Sequence, residues 1–134
     1  MPMSLEHIDK IARDKQRDVL YIEFDREVYP SYDYETYIER QNLIKWLEEN
    51  NIPYMPCGHI ASEYGWESYI GQLYIDIPMD DNNSKYKLLN NHLENEDGSF
   101  KIKGVRYMYV SLKVAMKNAH HDEEGFWDRW AENF

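Results

Sequence analysis

The 134-residue sequence has a single cysteine, Cys57, so no disulfide can form within the chain. That fits a reducing compartment. Its six glycines are scattered, and none falls into the GxxxxGKS or GxGxxG spacing that cradles phosphate. Long apolar runs are missing too. The longest, such as Val19-Leu20-Tyr21-Ile22, are far too short to cross a bilayer. Residues 1–10 contain no apolar h-region, so no secretory signal is expected and a cytoplasmic location is. Positive charge is also scarce: 15 Lys and Arg face 25 Asp and Glu, a net charge of −10. This balance opposes nucleic acid and anionic membranes, and neither is expected as a direct partner.

Aromatic residues, by contrast, are plentiful at 15%, and 43% of the chain is hydrophobic, which argues against disorder. A chain of this length buries enough surface for one core without metal or disulfide staples. One domain over residues 1–134 is expected.

The apolar pattern predicts an α+β fold. Ser4 is a candidate cap for a helix over 4–17 with a Leu5, Ile8, Ile11, Ala12 stripe. Residues 18–25 alternate as a strand. Pro30 and Ser31 break the chain, and Asp33 is placed to cap a second helix running to about Asn50, whose apolar face includes Tyr37, Ile44 and Leu47, widened by Leu43 and Trp46. Two strands follow, over 52–61 and 69–78, with 62–68 read as a loop between them. The turn at residues 80–84 opens a third helix to about Glu96, and Asp97-Gly98 turns again. A short strand over 99–103, a long one from Val105 to Ala115 and a last helix over 118–133 complete the chain. The central β-α-β-β-α-β order is that of a split βαβ, or ferredoxin-like, antiparallel sheet with added N- and C-terminal helices. Phe126, Trp127, Trp130 and Phe134 share one face of the last helix, and docking onto the sheet's spare face is its economical use.

Several constellations suggest chemistry, but each has a simpler reading. His120-His121-Asp122-Glu123-Glu124 offers metal-ligand types, yet adjacent histidines on a helix point about 100° apart. No second histidine completes the HExxH spacing, so acids at a helix N-terminus account for the run. Cys57 and His59 share a strand face, but Pro56 and Gly58 interrupt that strand and no third group orients the imidazole. Carboxylate pairs are what chance gives among 25 acids. The basic stretch 84–117, at +4, reads as a mixed face that balances the acidic half. No cofactor, no metal and no catalytic activity are expected.

One feature outweighs its bland reading. Residues 19–83 hold thirteen acids, three Lys or Arg, and nine of the twelve tyrosines. Tyr29, Tyr32, Tyr34 and Tyr37 lie among Asp25, Glu27, Asp33 and Glu35, and Tyr64 and Trp66 lie between Glu63 and Glu67. Tyr and Trp are the usual anchors of protein interfaces. Carboxylates around them steer a basic protein partner. The expected binding surface is therefore Asp25, Glu27, Asp33, Glu35, Glu63 and Glu67 for charge, with Tyr32, Tyr34, Tyr64 and Trp66 as anchors.

In length, charge and compact α/β pattern, and in segments such as Tyr69-Ile70-Gly71-Gln72-Leu73-Tyr74-Ile75-Asp76 and Gly125-Phe126-Trp127-Asp128-Arg129-Trp130, the chain resembles small acidic immunity proteins. These belong to bacterial toxin–immunity systems, including contact-dependent inhibition. The resemblance implies a non-catalytic cytosolic inhibitor of one cognate toxin domain, often a nuclease whose basic cleft it covers. Two other readings stay open. One is a phage-type DNA mimic that blocks a nucleic-acid-binding enzyme. The other is a small enzyme or metal protein using Cys57 and His59, or His120 and His121.

Overall fold

The computed structural model describes residues 8–31, 33–56, 60–62, 65–67 and 71–132. Among these residues six strands and five helices form in this order: α1 (Ile8–Lys15), β1 (Val19–Phe24), α2 (Ile38–Glu49), β2 (Tyr54–Pro56), β3 (Ile60–Ser62), β4 (Gly65–Glu67), β5 (Leu73–Ile75), α3 (Ser84–Leu93), β6 (Val105–Val110), α4 (Leu112–Lys117) and α5 (Phe126–Glu132). Single 3₁₀ turns at Tyr34–Thr36 and Ala119–Asp122 precede α2 and α5. No helix among the described residues is long and apolar enough to cross a membrane.

Four strands make one antiparallel sheet in the order β2-β5-β1-β6. β1 and β2, joined through α2, are therefore parallel with β5 between them. β5 and β6, joined through α3, are parallel with β1 between them. Each βαβ unit is split by a strand of the other, as the β-α-β-β-α-β order predicts. β3 and β4 form a separate hairpin inserted between β2 and β5.

Alternation along the strands sorts side chains to two faces. Leu20, Ile22 and Phe24 of β1, Leu73 and Ile75 of β5, and Val105 and Tyr107 of β6 face α2 and α3. Leu43, Leu47, Leu89 and Leu93 of those helices close this core. On the other face Val19 and Tyr74 pack with Ile8, Ile11 and Ala12 of α1 and Ala115 of α4. The spare face is thus covered by α1 and α4. The side chains of Trp127 and Trp130, and Phe134, lie outside the described residues, while Phe126 packs on His120 and His121 at 5.2 and 4.9 Å.

Several boundaries move for local reasons. β6 ends at Val110 rather than running to Ala115, because two caps turn the chain into α4. The Ser111 hydroxyl accepts from the Val114 N–H (3.2 Å), and the Asp18 carboxylate accepts from the Leu112 N–H (2.7 Å). The expected strand at 99–103 shrinks to one bridge between Glu94 and Phe100. The last helix is interrupted at Gly125, whose φ of +79° breaks helical geometry. Gly65–Glu67, expected in a loop, pairs with Ile60–Ser62, and the two-residue connection between Ser62 and Gly65 is a hairpin length. Asp33 makes no side-chain cap. α2 instead starts after Tyr37, whose extended backbone separates it from the 3₁₀ turn.

α1 is tied to the 3₁₀ turn at Ala119–Asp122 under the second face. Arg13, only 5% exposed, donates to both oxygens of Asp122 at 2.6 Å and to the Ala115 carbonyl at 3.0 Å. Asp9 pairs with the same guanidinium at 3.1 Å. The Arg13 guanidinium holds the Asp122 carboxyl below its ordinary value, against burial, which raises it. This contribution to stability is complete above the unfolded carboxylate value and fades as pH falls through the depressed folded one. Asp122→Ala should lower stability by about 2 kcal/mol at pH 7, measured by denaturant unfolding. The gap between variant and parent should close as the pH is taken below about 3.9.

Candidate functional site

The acidic edge begins where β1 ends. The Asp25 N–H donates to the Gly104 carbonyl (2.8 Å), and the Asp25 carbonyl accepts from Val28 (3.1 Å) and Tyr29 (2.8 Å). The Glu27 N–H donates to the Asp25 carboxylate (2.9 Å) and, with Arg106 at 3.4 Å, holds it below its ordinary pKa. Arg106 also lies 3.5 Å from Glu23. Asp25 is therefore paired with a cation that it shares with Glu23.

Tyr37, read from the sequence both on the apolar face of the second helix and in the acidic tyrosine cluster, turns inward, and Tyr29 of that cluster packs on it. Their rings stack at 4.4 Å, and Phe24 meets them at 6.4 and 6.0 Å. Tyr37 is buried and its hydroxyl donates to the Ser31 carbonyl. Arg26 donates to the carbonyls of Pro30 (2.8 Å) and Ser31 (2.9 Å). An aromatic stack and an arginine clamp thus fix the loop from within.

Tyr34 is half-buried. The Arg40 guanidinium lies 4.7 Å from the centre of its ring, and Arg40 Nε donates to the Gly71 carbonyl (2.9 Å). Gly71 has a φ of +97°, and a Cβ there would come within 2.6 Å of the Tyr34 Cβ. Only glycine lets the chain before β5 close on this tyrosine.

Glu27, Asp33 and Glu35 are exposed, and among the described residues none has a cation within ion-pair distance. Tyr34 sits beside them. Trp66 and Glu67 lie on β4, where the backbone alone is described. Tyr32, Glu63 and Tyr64 fall outside the described residues, as do Cys57 and His59. Ile38, 64% exposed at the start of α2, was not legible as part of this surface. The signal was its position off the buried Tyr37, Arg40, Leu43, Leu47 stripe.

The histidine run is built differently. His121 is buried with Nδ1 3.5 Å from the Asp9 carboxylate, and its ring meets those of His120 and Phe126. Asp122 belongs to Arg13. Among the described residues no group of three or more His, Cys, Asp or Glu is placed to hold a metal ion. A second polar group lies near the same face. The Tyr74 hydroxyl and Arg17 both donate to Asp76 at 2.7 Å. Burial, then Asp76, pushes the Tyr74 hydroxyl up to about 12. The chain matches no known protein family, no curated protein and no solved structure.

Gly71→Ala would force a side chain into a left-handed backbone and against Tyr34. A loss of about 3 kcal/mol is expected in thermal or denaturant unfolding, from the sum of backbone strain and overpacking.

Proposed function

We propose that the protein is a cytoplasmic, non-catalytic inhibitor that captures a basic partner on its acidic edge, and that this partner is the toxin domain of a toxin–immunity pair. The observation that carries this reading is the charge of Glu27, Asp33 and Glu35, exposed and without an ion-pair partner among the described residues, beside the Tyr29–Tyr37 stack. Three exposed carboxylates fixed in place act as a steering field for a positively charged surface. Holding them in a preordered loop reduces the entropy lost on binding.

Tyr34 and Ile38 supply apolar area next to that charge. Tyr32, Glu63, Tyr64, Trp66 and Glu67 extend the proposed surface on the strength of their composition. A toxin that hydrolyses nucleic acid needs a basic substrate cleft. An acidic edge seated there excludes phosphate by occupying its partners, and the inhibitor itself performs no reaction.

A pull-down with the product of the neighbouring gene, at low and at physiological salt, tests the partner. One stoichiometric partner retained at physiological salt, whose activity falls at equimolar inhibitor, is expected. Many basic proteins released by modest salt would replace this reading with that of a general DNA mimic. With the partner in hand, the Asp33→Lys, Glu35→Lys double variant should slow association by about tenfold or more at low salt in stopped-flow measurements. An unchanged rate would remove this edge from the interface.

A further inference from the structure

On the outer side of the first core, α2, α3 and the segment before β6 enclose an open groove of about 310 Å³. Its floor is apolar. Leu43 and Ile102 pack into the core beneath it, and the rings of Trp46 and His92 stack in parallel at 3.8 Å. Its rim is acidic at both ends. Glu39 and Glu49 sit ten residues apart on α2, about 15 Å along the helix axis.

The cations nearby leave one of these acids unmatched. Lys45, with a side chain 78% exposed, lies 4.0 Å from Glu49 at the far end. Glu39 has no cation within ion-pair distance among the described residues. Burial, then Lys101, lowers the His92 pKa, so the imidazole is neutral near pH 7 and puts no positive charge on the floor. Glu39 lies in the first turn of α2, four residues along the chain from Glu35 and separated from it by the extended Tyr37.

A ligand that matches this groove is apolar along its length and positive at its tip. Lysine and arginine side chains have that form. A volume near the lower end of small-molecule sites, roughly 300 Å³, together with open sides suits a projecting side chain better than an enclosed cofactor. We infer that the groove between α2 and α3 is an anchor subsite that takes one arginine or lysine side chain of the basic partner, its stem on Trp46, His92 and Ile102 and its cation on Glu39. This inference deepens the proposed binding function and rests on it for the identity of the partner.

The probe is N-acetyl-arginine amide, with N-acetyl-citrulline amide as its uncharged counterpart. Both are titrated into the isotope-labelled full chain and followed by NMR. Saturable shifts of the Trp46 indole N–H and the His92 ring are expected with arginine, and weaker ones with citrulline. Glu39→Gln should reduce arginine binding about fivefold, the effect of one partly exposed ion pair, while leaving the rest of the spectrum unchanged. The inference is overturned if arginine gives no saturable shift at these rings, if citrulline binds equally well, or if Glu39→Gln changes nothing. A cognate partner weakened by the Asp33→Lys, Glu35→Lys variant but indifferent to Glu39→Gln would also remove the subsite, and would leave the inhibitor reading standing. Arginine binding that depends on Glu39 supports the subsite even where the neighbouring gene product fails to bind.

Discussion

A β-sheet has two faces, and β1 at the centre of this one is buried on both. Leu20, Ile22 and Phe24 belong to the core under α2 and α3, and Val19 to the core under α1. Neither core can be removed without exposing the other side of the same six residues. This double burial sets the roles of the remaining elements. α2 and α3 are the crossovers that let the strands interlock, and α1 and α4 close what the crossovers leave open. The acidic edge is the part of the chain released from that duty, where β1 leaves the sheet at Asp25.

The acidic edge inherits its shape from interior contacts. Asp33 and Glu35 are exposed because Tyr37, between them and α2, is pulled inward against Tyr29 and Phe24. Tyr34 keeps its orientation because Arg40 covers its ring and is itself held by the Gly71 carbonyl. Tyrosine enrichment in this segment thus serves two ends. Tyr29 and Tyr37 build the support, and Tyr34 stays half-exposed beside Asp33 and Glu35.

Much of the fold could be read from periodicity. The alternation at Leu20, Ile22 and Phe24, and again at Leu73, Ile75 and Ile77, marks the faces that the structure buries. Helix stripes at Leu43 and Leu47 and at Leu89 and Leu93 were equally plain. The end of β6 was not, because Leu112 and Val114 continue an alternating pattern. The decisive groups there are Ser111 and Asp18, and Asp18 is 94 residues from the N–H it caps. The helix stripe marked Tyr37 for the core, but the roles of Tyr29 and Tyr34 could not be told apart for the same reason. Stacking of Tyr29 on Tyr37 and closure of Gly71 on Tyr34 are tertiary events, and composition registers the residues but not their partners. The Trp46–His92 stack joins two helices that no local pattern relates.

The bridge from Arg13 to Asp122 spans 109 residues of sequence. The β1–β6 pairing, Val19 with Val110, already brings the two segments together, so little further chain has to be closed for the bridge to form. α1 precedes every strand in the chain, yet its anchoring carboxylate lies beyond the last one. Ile8, Ile11 and Ala12 pack on Val19, Tyr74 and Ala115, and the bridge fixes the same helix from beyond β6. Cutting the chain after α4 would therefore loosen its first helix, at the opposite end of the sequence.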